Sequence, residues 1–224
     1  MFQQIFPNVF ALISGNDSCN CFLVKGRAKI ALVDSGTKSN AGALLSGLEK
    51  IGLGPEQVSL VLHTHGHADH IGCDEFFPNA KIAMHRIDAK MVNEKNEEFA
   101  CTSFFPGTAL PKVSILLKGG QKIDLGGISL EVVHTPGHTA GSVCFLLRKE
   151  MALFSGDTLF VDGFGRTDLP SGNAKKLVES LKKLQKIGFK GLFPGHGPYL
   201  LGRGRKQQKE CIEAVIRAAS KSLV

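Results

Sequence analysis

The segment 62–70, Leu-His-Thr-His-Gly-His-Ala-Asp-His, places four imidazoles and one carboxylate within eight residues, directly after an apolar run. Imidazole is the commonest metal ligand among protein side chains, and a carboxylate adds a hard oxygen that can also hold a water nucleophile. The packing of a core gives no reason for such a cluster. The segment therefore predicts a metal site, and it requires a fold that aims these side chains into one cleft.

Short apolar runs rich in β-branched residues predict strands. They occupy residues 9–13, 21–24, 30–33, 58–62, 81–84, 128–133, 143–147, 151–154 and 191–193. The helical spacing of apolar residues predicts helices over 40–51, 177–187 and 212–219. This strand-rich alternation indicates an α/β fold.

Three later segments each place one candidate ligand at the end of a predicted strand. His138 follows Thr-Pro-Gly, Asp157 follows Ser-Gly, and His196 follows Pro-Gly. Glycine and proline fix tight turns at these points, where a rigid sheet can aim side chains into a common cleft. Each signal is weak by itself, but together with the histidine segment, in this order, they form a specific pattern.

With His65-x-His67-x-Asp69-His70 ahead of these three segments, the chain resembles the metallo-β-lactamase superfamily. The resemblance runs from about residue 9 to residue 198. It implies an α/β fold in the form of a four-layer αβ/βα sandwich, with the metals at one edge of the two sheets.

The resemblance implies a division of the ligands, residue by residue. One metal would be held by His65, His67 and His138, and a second by Asp69, His70 and His196. Asp157 would bridge the two ions. Two zinc ions are the expected cofactors, with iron or manganese as alternatives. Seven ligands shared between two ions leave open positions for a bridging hydroxide and a substrate, as a catalytic site requires.

Two further carboxylates belong to the resemblance. Asp34, in Leu-Val-Asp-Ser-Gly, matches an early strand of the family, and Asp168, in Gly-Arg-Thr-Asp, is similar to a stretch of the glyoxalase II-like branch. Both are expected to hydrogen-bond to metal ligands, although a surface salt bridge is an alternative for Asp168. Tyr199 and Arg203, which follow the His196 turn, are candidate substrate contacts.

The resemblance predicts a dinuclear hydrolase of the glyoxalase II-like kind, in which a metal-bound hydroxide attacks the carbonyl of a small thioester or ester. Asp69 is the catalytic candidate. The chain ends 28 residues after His196, where the extra helical domain of glyoxalase II would not fit, so glutathione specificity is not expected. The alternative is a mononuclear iron enzyme similar to the persulfide dioxygenases, and a nuclease ranks lower.

Composition sets the remaining expectations. A chain of 224 residues suits one domain over 1–224, since single domains commonly reach roughly 250 residues. The net charge of +7 favours an anionic partner, and a small anionic molecule is preferred because aromatic residues are not interleaved with the basic clusters as nucleic-acid stacking would need. With no apolar span and no export signal, a cytoplasmic protein is expected that contacts no membrane. A homo-oligomer is left open. The loop 93–111 is either a lid over the site or a segment packed on the core.

Overall fold

A computed structural model describes residues 1–15, 17–202, 212–213, 215–218 and 220. The strands of this part of the chain are β1 (Gln3–Phe6), β2 (Val9–Leu12), β3 (Cys21–Lys25), β4 (Ile30–Val33), β5 (Leu60–Leu62), β6 (Lys81–His85), β7 (Ile115–Leu117), β8 (Lys122–Asp124), β9 (Ser129–His134), β10 (Val143–Leu147), β11 (Ala152–Gly156) and β12 (Gly191–Pro194). The α-helices are α1 (Ala41–Lys50), α2 (Ala68–Ile71), α3 (Arg86–Asn93), α4 (Glu97–Ala100) and α5 (Ala174–Ile187). Single 3-10 turns cover Lys38–Asn40, Pro55–Gln57, Asp74–Phe76 and Thr102–Phe104.

The strands form two sheets that face each other. The first has the order β1-β2-β3-β4-β5-β6-β7 and is parallel from β4 to β7, and the second has the order β12-β11-β10-β9-β8 with one parallel pair, β11 and β12. One buried cluster lies between the sheets, a second packs α1, α3 and α4 on the first sheet, and a third packs α5 on the second. This arrangement is the four-layer αβ/βα sandwich that the sequence predicted.

Central strands are apolar at every position because both of their faces are buried. On β10, Val143, Phe145 and Leu147 point to the cluster between the sheets, while Cys144 and Leu146 point to the helix layer. Side chains alternate between faces along a strand, so one short run of sequence supplies two cores.

The helix α5 begins and ends where its sequence dictates. The side chain of Asn173 accepts a hydrogen bond from the backbone N–H of Lys176, which satisfies one of the free donors of the first turn. The helix ends at Gly188, whose φ of 68° is readily adopted only by glycine. Between these points, Leu177, Leu181 and Leu184 bury one stripe of the helix against the second sheet.

The predicted strands match the structure to within a few residues, as do the predicted helices over 40–51 and 177–187. The short helices α2, α3 and α4 were not predicted, and the predicted helix over 212–219 includes positions 214 and 219, which lie outside the described residues. Three strands were also missed. Strands β1, β7 and β8 were missed because they are short and polar or partly exposed, as in Lys122-Ile123-Asp124. They lie at or next to the sheet edges, where pairing with a neighbour rather than apolar content determines the strand. Within the described residues, no helix is long and apolar enough to cross a membrane.

Two histidines away from the candidate metal ligands contact each other across the two sheets. The rings of His85, at the end of β6, and His134, at the end of β9, stack with centroids 4.1 Å apart and an interplanar angle of 13°. Burial lowers the pKa of His85 to about 4, with the proximity of His134 and Arg86 adding to the effect, and burial also lowers the pKa of His134. Both rings are therefore neutral in the fold at neutral pH.

Replacement of His85 by Phe is expected to reduce the amount of folding stability that the protein loses as the pH falls. The unfolded chain takes up these protons near pH 6.5, whereas the folded chain does so only at lower pH, so stability is lost as pH falls from 6.5 toward 4. Phenylalanine keeps a stacked ring without this proton uptake. Urea midpoints at about pH 7 and about pH 5 should differ less in His85→Phe than in the wild type, and the nearby Ile87→Phe should keep the wild-type difference. Equal differences in all three proteins would contradict the prediction.

Candidate metal centre

The candidate ligands lie at the carboxyl ends of four strands, which meet at one edge of the sandwich. His65 and His67 follow β5, and the short helix α2 that comes next carries Asp69 and His70. From the second sheet come three more side chains: His138 after β9, Asp157 after β11 and His196 after β12. The structure thus brings all seven predicted residues to one place, although they span 132 positions of the sequence.

Three histidines form the first candidate ligand set. His138 Nε2 lies 3.2 Å from His65 Nε2 and 3.0 Å from His67 Nδ1. All three side chains are buried. Ring nitrogens that converge at this spacing can share one metal ion.

The second set contains one carboxylate and two histidines. Asp69 Oδ2 lies 3.0 Å from His196 Nε2 and 3.6 Å from His70 Nε2. These atoms also lie close enough together to hold one ion.

Asp157 lies between the two sets. Its Oδ1 is 3.3 Å from His70 Nε2, and its Oδ2 is 3.7 Å from both His138 Nε2 and His196 Nε2. A Cβ on Gly195 would overlap Asp157 Oδ1 and come within 2.8 Å of His70 Cε1. Glycine is therefore required beside His196 for these ligands to approach one another.

The hydrogen bonds on the far side of the rings favour metal binding. His70 Nδ1 bonds to Asp34 at 2.9 Å and His138 Nδ1 to the backbone oxygen of Arg166 at 2.7 Å. Thr64 donates its hydroxyl proton to Asp34, so its oxygen accepts from His65 Nδ1 at 3.1 Å. For His65 and His138, Nδ1 carries the proton and the lone pair of Nε2 faces the centre, the arrangement typical of metal-binding histidine. Burial would lower the pKa of His70, but the surrounding aspartates raise it, so a metal ion held there would displace the proton of its Nε2.

Three side-chain atoms of the candidate ligands are buried without a hydrogen-bond partner among the described residues. They are His67 Nε2, His70 Nε2 and Asp157 Oδ1. Buried polar atoms are nearly always satisfied, and those that are not call for a missing water or ion. The donor set therefore fits divalent metal ions.

The pKa values of the centre support the same view. Burial and the surrounding imidazoles lower the pKa of His65, and burial with His138 lowers that of His67 to about 3, so both rings are neutral ligands. Burial alone would raise the pKa of Asp157, but His70 and the other histidines hold it well below its usual range. The carboxylate is therefore ionised at neutral pH, as a ligand must be.

Asp34 forms the hydrogen bond to a candidate ligand that the resemblance implied. It lies at the end of β4 and accepts hydrogen bonds from the backbone N–H of Thr64, from the Thr64 hydroxyl and from His70. Burial would raise its pKa, but the charge on His70 and bonds from the histidines lower it to about 2. The carboxylate orients His70, and through Thr64 it also fixes the start of the histidine segment.

The prediction that Asp168 hydrogen-bonds to a metal ligand needs correction. Its carboxylate is 67% exposed and forms a two-pronged pair with the guanidinium of Arg166, at 2.8 and 2.6 Å. The hydrogen bond from Arg166 lowers the pKa of Asp168 to about 2. The bond to His138 comes instead from the backbone oxygen of Arg166, which no side-chain pattern could identify.

The two predicted substrate contacts also differ from expectation. Tyr199 does not line the cavity at the centre, because its ring stacks on Phe193 with centroids 5.5 Å apart, in the cluster between the sheets. Arg203 lies outside the described residues.

A cavity of about 410 Å³ opens onto the ligands, and its outer wall is mostly apolar. This wall is formed by Phe104, Phe105, Phe160 and Leu169, with Arg166 beside them. Phe160 and Leu169 were not assigned to the site from the sequence, whereas Phe104 and Phe105 belong to the loop 93–111, for which a lid was one alternative. In this loop Phe99 is buried in the core, while Phe104 is 66% exposed at the cavity.

Comparison with known proteins places this site in a family. A family model described as the metallo-beta-lactamase superfamily matches residues 14–196. A probable metallo-hydrolase of Methanocaldococcus jannaschii is 33% identical over 189 residues, which cover 80% of this chain and 88% of that protein. The hydroxyacylglutathione hydrolase GloC of Haemophilus influenzae is 31% identical over 194 residues, 80% of this chain and 86% of the relative.

A solved structure is also similar. The crystal structure of TTHA1623 in a di-iron-bound form is 30% identical and has a TM-score of 0.70, with 86% of this chain and 94% of that chain covered.

Proposed function

The chain belongs to the metallo-β-lactamase superfamily, whose members are mostly metal-dependent hydrolases, and from this premise we propose that it hydrolyses a small thioester or ester at a dinuclear centre. The observation that carries the proposal is the pair of ligand sets on either side of Asp157. Three histidines would hold one ion, and Asp69, His70 and His196 the other. A structural site for a single ion would not need seven donors.

With two cations bound, the centre would supply a nucleophile at neutral pH, because cations lower the pKa of bound water, and it would polarise a carbonyl. The chain's own groups complete the site. Asp69 lines the cavity, and its carboxylate is ionised because His70 and His196 lower its pKa against the effect of burial. One oxygen of the Asp69 carboxylate would hold the ion, and the other would orient a water molecule and accept its proton.

The cavity wall indicates what kind of substrate would fit. Phe104, Phe105 and Phe160 surround the approach to the ligands and would exclude water from an apolar acyl or thiol group. Arg166 lies at the rim, and although its Nε and Nη2 pair with Asp168, its Nη1 would donate to a carboxylate or phosphate of the substrate. An anionic thioester with an apolar portion satisfies both features, and a thiolate is a good leaving group.

The relatives support hydrolysis and leave the metal to be measured. The Haemophilus influenzae relative is a hydroxyacylglutathione hydrolase, and TTHA1623 has been solved with two irons. Histidine and carboxylate ligands suit zinc, iron and manganese alike. We propose two zinc ions, with iron as the alternative.

The proposal is tested with purified, metal-loaded protein and a panel of thioesters that differ in acyl group and in charge, followed by release of free thiol. Thiol release that depends on the metal would support the proposal. Consumption of oxygen with a persulfide substrate, without hydrolysis of any thioester, would favour the iron oxygenase instead. The two reactions are measured on the same preparation.

Replacement of Phe104 by Ala is expected to weaken selection for bulky apolar acyl groups. Its ring is exposed at the cavity, so its removal leaves the core intact. We expect kcat/KM to fall about 5- to 50-fold for an aromatic thioester and less than about threefold for an acetyl thioester. Leu116→Ala, at an equally exposed apolar position outside the cavity, should change neither value. An equal fall for both substrates in Phe104→Ala would contradict the prediction.

A further inference from the structure

A buried carboxylate outside the ligand sets bonds to both loops of the three-histidine set. Asp88 lies in the first turn of α3 and is completely buried. Its Oδ2 accepts hydrogen bonds from the backbone N–H of Gly66 at 3.2 Å and from the hydroxyl of Thr139 at 2.6 Å. Its Oδ1 accepts from the backbone N–H of Gly141 at 2.7 Å.

These donors lie next to metal-site histidines. Gly66 separates His65 from His67, and Thr139 directly follows His138. The first two histidines belong to the loop after β5 in one sheet, and the third belongs to the turn after β9 in the other. The three-histidine set is therefore assembled across the two sheets, and Asp88 contacts both of its parts.

The local packing is built around this carboxylate. A Cβ on Gly141 would overlap Asp88 Oδ1 and come within 2.7 Å of the Asp88 backbone nitrogen. A Cβ on Gly66 would come within 2.9 Å of Val92 Cγ2, one helical turn along α3 from Asp88. Both loops thus approach α3 as closely as glycine allows.

A charge in this position has a cost. Burial raises the pKa of Asp88 to about 6, although the hydrogen bonds from Thr139, Gly141 and Gly66 oppose the shift. A buried carboxylate is tolerated only when its oxygens are well satisfied. An Asn side chain would turn an amide N–H toward a backbone N–H donor, so only a carboxylate accepts all three bonds in this geometry.

We propose that Asp88 is the positioning residue of the three-histidine metal site, which it assembles by holding the His65–His67 loop and the His138 turn at the spacing of a shared ion. The inference rests on the proposed role of these histidines as ligands. The other ligand set is held differently, because His70 bonds to Asp34 and not to Asp88. Loss of Asp88 should therefore weaken one site and spare the other.

The test measures metal affinity at each site separately, by competition of zinc with a chromophoric chelator. In a His196→Ala background the remaining intact set is the three-histidine site, and in a His67→Ala background it is the Asp69 site. Asp88→Asn is expected to weaken zinc binding about 10- to 100-fold in the first background and less than about threefold in the second. Asp124→Asn, which alters an exposed carboxylate that also accepts a backbone N–H bond, should change neither.

Thermal melting of the metal-free proteins shows whether the variants fold. If Asp88→Asn does not fold, Thr139→Val is used instead, because it removes one of the three hydrogen bonds to Asp88. We then expect a smaller loss of zinc affinity, again only at the three-histidine site. Equal weakening of both sites, or no change at either, would overturn the proposed role of Asp88 but not the proposed metal centre. Failure of the wild-type protein to bind zinc would overturn the proposed metal centre, and with it this inference.

Discussion

Replacement of Asp69 by Asn should lower kcat about 10²- to 10⁴-fold, the range expected when a group that accepts a proton is removed. Asparagine has nearly the same shape, so the change removes the charge and the proton acceptor while the contact between residue 69 and His196 Nε2, now 3.0 Å, is kept. The three-histidine set does not include Asp69 and should still bind its ion. Asp69→Asn should therefore lower kcat without weakening the binding of the ion at the three-histidine set.

The measurement is steady-state thiol release at saturating thioester, with metal content determined on the same samples. Asp124→Asn serves as the matched control, because it makes the same chemical change on an exposed strand end away from the cavity. Asp69→Asn protein that keeps a tenth or more of the wild-type kcat would contradict the catalytic role of this carboxylate.

Removal of the metal is expected to abolish turnover and to lower the melting temperature by about 5 to 15 °C. Ligands present at 100 to 1,000 times their Kd stabilise a fold by about 3 to 4 kcal/mol, and each kcal/mol is worth about 2 to 4 °C in a chain of this size. The physical cause is that the carboxylates of Asp69 and Asp157 and the buried ring nitrogens lie close together, and without the metal ions they lose the cations that they would share.

Chelator-treated protein is compared with the same protein after zinc is returned, by thermal melting and by thiol release. Both properties should recover together. His67→Ala, which lacks one donor of the three-histidine set, should show a smaller shift on chelation than the wild type. Full activity in protein shown to be free of metal would contradict the proposed mechanism.

The side chains that the structure brings together could be identified from the sequence because each belongs to a short local pattern, and their role as metal ligands stays a prediction. His65, His67 and His70 lie within six residues, and the later ligands follow glycine or proline at the ends of apolar strands. Strand alternation predicts an α/β fold, because central strands such as β10 are apolar on both faces. The four-layer arrangement, with the candidate ligands at one edge of the two sheets, was implied by the resemblance to the metallo-β-lactamase superfamily.

The residues around the ligands were harder to predict because their contacts depend on distant parts of the chain. Asp88 acts on loops 22 and 51 positions away, and nothing near it in sequence marks a site. Tyr199 follows the turn that carries His196, but its ring stacks on Phe193 in the core and does not face the cavity. Asp168 has an arginine two positions away, and this local ion pair takes its carboxylate.

The most direct test of the dinuclear centre is the metal content of protein purified without added metal, measured by elemental analysis. About two zinc ions per chain, or two ions of mixed identity, are expected if both ligand sets are occupied around Asp157. A single iron per chain would contradict a dinuclear hydrolase and would assign the chain to oxygen-dependent chemistry instead.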